Sequence, residues 1–488
     1  MRRTASHFAA AICLTGAALA GTWEYDPAAG LLTSSDSPWT LIASADGTGL
    51  TVTGIKSQPP EPAPLPLGDA VTDGYRITDI GRGALSSNAF IITAVTIPGS
   101  VTNINEHAFS ACLRLTRITV AVGNAAYCDI GGVLFSADGK RLTKYPQGRT
   151  GAYHIPSGTT GIGGHAFENC RKLTDVIIPE GVADIGRWAF VDCNALATVT
   201  LPASLTSIGE DALDHCADLT KITVAAGSAA FRDIDGVLFS ADGQRIIRHP
   251  NPQRVYDIPA GVTHIGDGAF SNCSSLTNAL LPVSVTHIGD AAFETCQNMA
   301  GTTIPSGVTH IGIRAFGICS LLIDVTIPAC TTNIGHSAFD TCRGLSNIVV
   351  AADSASYRDI GGVLFTKDGR LLVQYPAGKA GAYTIPEGTA AIEWHAFWGC
   401  GNLTAVTVPG CVTHIGVYAF GKCDSLTNIT FQGGCPETDE DAECDFWPDN
   451  LTFHVSRAHE ASWAAAVSGS LADGTATWLG RAVRFTAP

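Results

Sequence analysis

The amino-acid sequence predicts an α/β solenoid, a right-handed coil built from 23-residue repeats. The motif Ala-Phe-x-x-Cys recurs along the 488-residue chain. Most copies of the motif are 23 residues apart, and each follows a short stretch of alternating apolar residues. A short fixed period is typical of solenoids, in which each coil covers the apolar side of the next. Parallel strands joined in this way are connected in a right-handed sense.

The repeat at residues 173–196 shows how each part of a coil is predicted. The apolar residues before Pro179 alternate as in a strand with one buried face, and proline ends that strand because it cannot donate a ladder hydrogen bond. Ala189, Phe190 and Cys193 have helical spacing. We therefore expect a parallel β-sheet on the concave face and short helical segments on the convex face.

This pattern resembles the leucine-rich repeats (type 5) of the BspA-like family of secreted and surface proteins. The matching positions are IP…V…IG…AF…C…L, and they recur over roughly residues 75–431. The resemblance implies a non-enzymatic, adhesin-like protein, since family members bind host extracellular proteins or other cells.

The repeated cysteine is expected to be a small buried residue whose thiol bonds a carbonyl of the turn. Side chains in such a ladder point in parallel and not toward each other, which favours free thiols over disulfides. Cys435 and Cys444 flank an acidic loop, and their spacing neither requires nor excludes a disulfide between them. The predicted structural ladder comprises Cys112, Cys170, Cys193, Cys216, Cys273, Cys296, Cys319, Cys342, Cys400 and Cys423.

Three repeats are longer than the others, at residues 124–146, 228–250 and 354–376. Each contains VLF, an Asp-Gly pair and a second apolar stretch, which is a strong signal for a β-hairpin. These segments predict hairpin-containing inserts. Two interpretations stay open, a decoration of the sheet edge and a protrusion that contacts a ligand.

The N-terminus has two arginines, an apolar stretch and an A-x-A ending, which predict a secretory signal peptide and a secreted or cell-surface protein. No later segment is predicted to cross a membrane. The predicted organisation is a signal peptide (1–20), an N-terminal β cap with a proline-rich loop (21–74), the solenoid (75–431) and a C-terminal cap (432–488).

The net charge and the search for known motifs argue against several classes of function. The net charge is −15 and no run of Lys and Arg occurs, which argues against a nucleic-acid-binding surface. Since no catalytic or metal-binding motif is found, we predict no enzyme activity, no cofactor and no metal. His264, His287 and His310 occupy one repeat position and could share a metal. Asp184 fills the same position elsewhere, however, which favours a solvated turn.

The concave sheet face is the predicted binding site, for an extracellular protein or a glycan. Threonine is frequent there, as expected of strands generally. The alternative is a structural surface-layer or matrix scaffold without a specific ligand, and in either case we expect a monomer. The candidate binding residues are Arg117, Asp175, Ile177, Thr198, Thr200, Lys221, Thr223, Asn278, Asp324, Asn347 and Asn428.

Overall fold

The chain consists of two compact units, Met1–Arg149 and Thr150–Pro488. The predicted signal peptide lies outside the described residues, and the predicted domain boundaries stay predictions. The structure is a computed structural model that describes residues 22–35, 37–68, 71–86, 91–250, 253–439, 447–448, 450–469, 475–479 and 481–486.

The first unit begins with antiparallel strands and continues with parallel ones. Strands β1 to β4 pair in sequence order, β4 pairs in parallel with β6 and β6 with β8, and β5, β7 and β9 form a second parallel sheet. A 3-10 helix spans Thr72–Gly74. The strands are β1 Glu24–Asp26, β2 Leu31–Thr33, β3 Thr40–Asp46, β4 Gly49–Ser57, β5 Ala63–Pro66, β6 Arg76–Ile80, β7 Ile92–Ile97, β8 Asn103–Ile104, β9 Arg117–Val120, β10 Tyr127–Ile130, β11 Val133–Ser136 and β12 Arg141–Lys144.

The second unit repeats one short and one longer strand in each coil. It ends with a 3-10 helix, Arg457–His459, and one turn of α-helix, Glu460–Trp463. Its strands are β13 Gly151–His154, β14 Gly161–Ile162, β15 Leu173–Ile177, β16 Asp184–Ile185, β17 Thr198–Leu201, β18 Ser207–Ile208, β19 Lys221–Val224, β20 Phe231–Ile234, β21 Val237–Ser240, β22 Arg245–Arg248, β23 Val255–Asp257, β24 His264–Ile265, β25 Asn278–Leu280, β26 His287–Ile288, β27 His310–Ile311, β28 Asp324–Ile327, β29 Asn333–Ile334, β30 Asn347–Val350, β31 Tyr357–Ile360, β32 Val363–Thr366, β33 Leu371–Gln374, β34 Gly381–Thr384, β35 Ala391–Ile392, β36 Leu403–Val408, β37 His414–Ile415, β38 Asn428–Phe431, β39 Glu437–Thr438, β40 Thr452–Ser456, β41 Thr477–Trp478 and β42 Arg481–Thr486.

Successive coils of the second unit form two parallel ladders. The longer strands β13, β15, β17 and β19 form one sheet, and the short strands β14, β16 and β18 pair in a second ladder. Between the ladders the repeated phenylalanines stack, with ring centroids 4.9 Å apart for Phe270 and Phe293 and 5.3 Å for Phe293 and Phe316. These rings are fully buried, so the repeated aromatic forms the centre of the core.

The predicted helical segments are wrong, because the Ala-Phe-x-x-Cys stretches are turns. Trp188 and Asp192 have positive φ angles of 54° and 59°, which a right-handed helix excludes. The N–H groups of Trp188, Phe190 and Asp192 donate to carbonyls of the next coil at 3.1, 2.8 and 3.2 Å. The fold is therefore a β-solenoid with parallel sheets and almost no helix. The handedness of the coil stays a prediction.

The ten ladder cysteines are buried free thiols. The Cys319 Sγ lies 3.2 Å from the carbonyl oxygen of Phe293, and the Cys342 Sγ lies 3.0 Å from that of Phe316. The thiols of Cys319 and Cys342 therefore donate to the preceding coil and not to their own turn. Burial raises the pKa of Cys216 to about 12. Cys444 lies outside the described residues, so the question of a disulfide with Cys435 stays open.

Each insert is a meander of three antiparallel strands, and the first strand of the three was not predicted. The inserts comprise β10–β12, β20–β22 and β31–β33, with matching registers. The Asp-Gly turn between the second and third strands is closed by the aspartate. In the first insert, the Asp138 carboxylate accepts hydrogen bonds from the Ser136 hydroxyl at 2.6 Å and from the Lys140 N–H at 3.0 Å.

Candidate functional site

The register of β15, β17 and β19 aligns candidate binding residues in two rows, which are exposed except at the half-buried Thr223. Asp175, Thr198 and Lys221 are direct neighbours in the first row. The second row contains Ile177, which is 53% exposed, followed by Thr200 and Thr223. The hydroxyl oxygens of these two threonines lie 2.9 Å apart. We call these six residues the threonine face.

The other candidate residues are placed elsewhere. Asp324 and Asn347 pair with each other on β28 and β30. Asn278 lies on β25, whose partner strand is β23. The Asn428 Oδ1 lies 2.9 Å from the His454 Nε2. Arg117 lies on β9 of the first unit and is exposed. The predicted site is therefore several separate patches, of which the threonine face is the most extensive.

The inserts end the exposed rows, an effect that sequence reasoning missed. At the second insert, the Ile222 N–H donates to the Gly236 carbonyl at 2.9 Å, and the Val224 N–H donates to the Asp233 carboxylate at 2.8 Å. Asp129 and Asp359 accept equivalent hydrogen bonds in the other inserts. The Asp-Ile pair that precedes each glycine-containing turn is the sequence signal that could have revealed this contact.

The three histidines at one repeat position form a stack. The ring centroids of His264 and His287 are 4.5 Å apart, and those of His287 and His310 are 5.9 Å apart. The Nδ1 atoms of the first two rings each lie 2.8 Å from a threonine hydroxyl. Partial burial, together with the two neighbouring rings, lowers the pKa of His287. Stacked rings present their faces to each other and not their nitrogen lone pairs, so this arrangement does not chelate a metal.

A cleft of about 420 Å³ lies where the second insert meets the coil before it. Arg245 pairs with Asp267 at 3.1 Å, and the buried Arg248 pairs with Asp214 at 2.9 Å. We call this cavity of about 420 Å³ the second-insert cleft. Its lining comprises Thr206, Ser207, Ile208, Gly209, Glu210, Asp211, Ala212, Leu213, Phe231, Arg245, Ile247, Arg248, Gly266, Asp267 and Gly268.

The ion pair beside this cleft is held by a dense set of hydrogen bonds. Arg248 donates to the Gly268 carbonyl at 2.7 Å and to the Ser271 carbonyl at 3.2 Å. Burial acts to raise the pKa of Asp214, but the charge of Arg248, together with His215 and the hydrogen bond from Asn272, outweighs it, and the pKa is lowered. Sequence reasoning missed this pair because its members lie 34 residues apart. The signal that could have found it is RHP at 248–250, where the other inserts have KYP and QYP.

The repeat pattern has a direct counterpart among known families. The model of the BspA type leucine-rich repeat region matches six copies in this chain, at residues 71–136, 150–242, 253–368 and 379–445. The chain belongs to the BspA-type leucine-rich repeat family. The resemblance predicted from the sequence is confirmed.

Solved structures of other leucine-rich repeat proteins are similar to this BspA-type chain. The pneumococcal vaccine antigen PcpA has 16% identity and a TM-score of 0.45, over 94% of this chain and 99% of that one. A leucine-rich repeat protein from Eubacterium ventriosum has 17% identity and a TM-score of 0.43, over 85% and 94%. A leucine-rich cell surface protein from Faecalibacterium prausnitzii has 24% identity and a TM-score of 0.30, over 93% and 94%. No curated protein matches the chain.

In the part of this BspA-type protein that the structure describes, helices are few and short. Among the described residues, none has the length and apolar character that crossing a bilayer requires.

Proposed function

We propose that this protein is a secreted or surface-exposed, non-enzymatic adhesion protein that binds an extracellular protein or glycan through the threonine face. Membership of the BspA-type family supports a role in binding. The observation that carries the proposal is the exposed row of Asp175, Thr198 and Lys221, beside the exposed side chain of Ile177.

The chemistry of the threonine face suits association with a partner. Asp175 and Lys221 form no ion pair with any of the described residues, so both charges are available to a partner. Ile177 adds apolar surface between polar groups, a combination that favours binding when water is excluded. Strands β15 and β17 are paired on both sides, and β19 is bonded to β17 and to the second insert, so the row is held rigidly and loses little conformational entropy on association.

A quantitative pull-down of extracellular matrix proteins by the purified chain tests the proposal. We expect saturable retention of a partner by the wild type and its loss in the double variant Asp175→Ala/Lys221→Ala. The matched control is Asp353→Ala/Lys367→Ala, which removes one exposed acid and one exposed base from the same unit. Retention that survives the first double variant would contradict the proposed surface. If the wild type retains no partner, the result favours the scaffold role without a specific ligand.

A further inference from the structure

The three inserts differ at one position, where a tyrosine closes the end of a strand ladder in two of them. The first strand of each insert begins with Tyr127, Phe231 or Tyr357. The three residues have the same register, opposite Ser136, Ser240 and Thr366 of the following strand. Two inserts therefore carry a phenol at this position, and the second carries a ring without a hydroxyl.

In the first and third inserts, the tyrosine hydroxyl bonds the last coil before the insert. The Tyr127 hydroxyl accepts a hydrogen bond from the Ile104 N–H at 3.0 Å, and the Tyr357 hydroxyl accepts one from the Ile334 N–H at 3.0 Å. Each isoleucine is the last residue of a short strand, β8 or β29. A side-chain oxygen therefore takes the place of the next strand of the ladder.

In the second insert, the equivalent N–H belongs to Ile208, and Phe231 cannot accept its hydrogen bond. The Gly209 N–H donates to the Ile185 carbonyl of the preceding coil at 2.8 Å. Because neighbouring residues of a parallel strand point their N–H groups to opposite sides, the Ile208 N–H points away from that coil. It points toward the insert, where the second-insert cleft lies. Among the described residues no acceptor for this N–H is found.

The charged groups of the cleft are largely neutralised by one another. Arg245 and Arg248 pair with aspartates, and Glu210 pairs with Arg187 at 3.2 Å. The Asp211 carboxylate accepts a hydrogen bond from the Trp188 indole N–H at 3.2 Å. Paired groups keep free lone pairs and N–H donors but attract no ion strongly, which favours a neutral ligand over an anion or a cation.

The cleft combines these polar groups with an apolar floor. Ile208, Leu213, Phe231 and Ile247 contribute apolar surface to its lining. The buried Nε of Arg248 has no hydrogen-bond partner among the described residues. A volume of about 420 Å³ falls within the ~300–1,000 Å³ of small-molecule sites. Sugars match this mixture, since their hydroxyls both donate and accept hydrogen bonds while their C–H faces are apolar.

We propose that the second-insert cleft is a binding site for a neutral sugar, whose hydroxyl accepts the Ile208 N–H in place of the tyrosine hydroxyl of the other inserts. Carboxylates of the cleft accept from the remaining hydroxyls, and the arginines donate to them. The third insert provides an internal comparison. A cleft of about 480 Å³ lies beside Ile334 there, but the Ile334 N–H is already bonded to Tyr357.

The decisive variant is Phe231→Tyr, which places at the second insert the residue found at the other two. The shared register positions its hydroxyl at the Ile208 N–H, so the variant closes the site without disturbing the fold. The labelled full chain is applied to an array of neutral, sialylated and sulfated oligosaccharides. We expect the wild type to bind neutral glycans and Phe231→Tyr to lose about tenfold in affinity, as expected when a bonded group is displaced.

Three further measurements keep the test independent of folding. The control variant Tyr357→Phe leaves the second-insert cleft unchanged and should bind neutral glycans at least as well as the wild type does. The variant Asp211→Asn keeps a residue type that tolerates positive φ while removing one carboxylate from the cleft, and it should weaken binding. In a ¹⁵N-labelled chain, the Ile208 amide signal should shift when a bound glycan is added.

The proposal is overturned if the wild type binds no neutral glycan, if it prefers anionic ones, or if Phe231→Tyr binds equally well. This site is separate from the threonine face, so the two proposals fail separately. Loss of protein retention in Asp175→Ala/Lys221→Ala with intact glycan binding would leave the sugar site standing. The reverse result would leave the threonine face standing.

Discussion

The repeated cysteine thiols find their hydrogen-bond acceptors differently in coils within an uninterrupted run and in coils next to an insert. Within the run, the Cys296 and Cys319 thiols lie 3.1 and 3.2 Å from the phenylalanine carbonyl oxygen of the preceding coil. After the second and third inserts, the acceptor is the carbonyl oxygen of His249 or Tyr375, and its distance from the Sγ of Cys273 or Cys400 is 3.7 or 3.9 Å. Repetition of the coil thus places each thiol within hydrogen-bond distance of its acceptor. The contacts next to an insert depend instead on individual side chains.

This difference predicts where the molecule is most sensitive to substitution. Phe293→Ala should cause the largest loss, about 3–5 kcal/mol of unfolding free energy, because the ring is fully buried between two others and the stack cannot collapse around the gap. Urea unfolding followed by circular dichroism measures this loss. Val283→Ala, at a side chain that is 86% exposed, is the control and should change stability by less than about 0.5 kcal/mol. Similar losses in both variants would contradict the stacked core.

The second insert should be most sensitive at its buried ion pair. Asp214→Asn leaves the Arg248 guanidinium buried without its counter-charge, so we expect a loss of about 3–5 kcal/mol at neutral pH. The folded-state pKa of Asp214 is lowered. The wild-type stabilisation is therefore complete above the unfolded-state pKa and is lost as the pH falls toward the folded-state pKa. Urea midpoints from neutral to acidic pH should decline less in the variant.

The third insert is the matched comparison, because Asp340 occupies the corresponding position. Burial raises the pKa of Asp340, and the adjacent His395 only partly offsets this effect. Its ionised form therefore costs stability at neutral pH, and that cost disappears as the pH falls through the raised pKa. Asp340→Asn should keep or increase stability at neutral pH in the same urea assay. A loss as large as that of Asp214→Asn would show that the two sites are equivalent.

Removing the tyrosine hydroxyl from the third insert and adding one to the second should change the free energy of unfolding by a smaller amount. The two changes should have opposite signs. Tyr357→Phe leaves the Ile334 N–H without its acceptor and should cost about 1–3 kcal/mol. Phe231→Tyr supplies an acceptor to the Ile208 N–H and should gain about 0.5–1.5 kcal/mol. Urea unfolding measures both changes, and amide hydrogen exchange should slow at Ile208 in the second variant. A loss of stability in Phe231→Tyr would contradict the inferred position of its hydroxyl.

The smallest expected difference in unfolding free energy is between two buried cysteine variants. Cys319→Ala removes a hydrogen bond of 3.2 Å, whereas Cys400→Ala removes a contact of 3.9 Å between thiol and carbonyl. Because both side chains are fully buried, the lost volume is the same. We expect Cys319→Ala to be the more destabilising by roughly 0.5 kcal/mol, since hydrogen bonds weaken with distance. The two urea midpoints measure this difference, and a lower midpoint for Cys400→Ala than for Cys319→Ala would contradict it.

Much of the repeat could be predicted because its information is local and periodic. The alternation before Pro179 and the regular positions of Phe190 and Cys193 predict a strand and a buried ladder, and these residues lie there in the structure. The error concerned the turn. Spacings of three and four residues fit a helix and a tight turn equally well, and nothing in the sequence marks Trp188 for a positive φ.

The candidate sites were harder to predict because they depend on contacts between distant residues. The threonine face requires the exact register of three strands, which the repeat supplies, and its two rows were therefore accessible from sequence. The second-insert cleft depends on a missing hydroxyl and on an ion pair across 34 residues. Alignment of Tyr127, Phe231 and Tyr357 with one another would have revealed the first of these, but no periodicity reveals the second.

The direction of the cysteine hydrogen bonds has a consequence for the order in which the coils fold. The thiols of Cys296, Cys319 and Cys342 all donate toward the N-terminal side, to a carbonyl that belongs to an earlier coil. A coil that folds onto the C-terminal end of the array therefore meets a carbonyl acceptor and an aromatic ring that are already in place. The backbone N–H groups of the preceding turn find their acceptors on the new coil, so the array can extend one coil at a time toward the C-terminus.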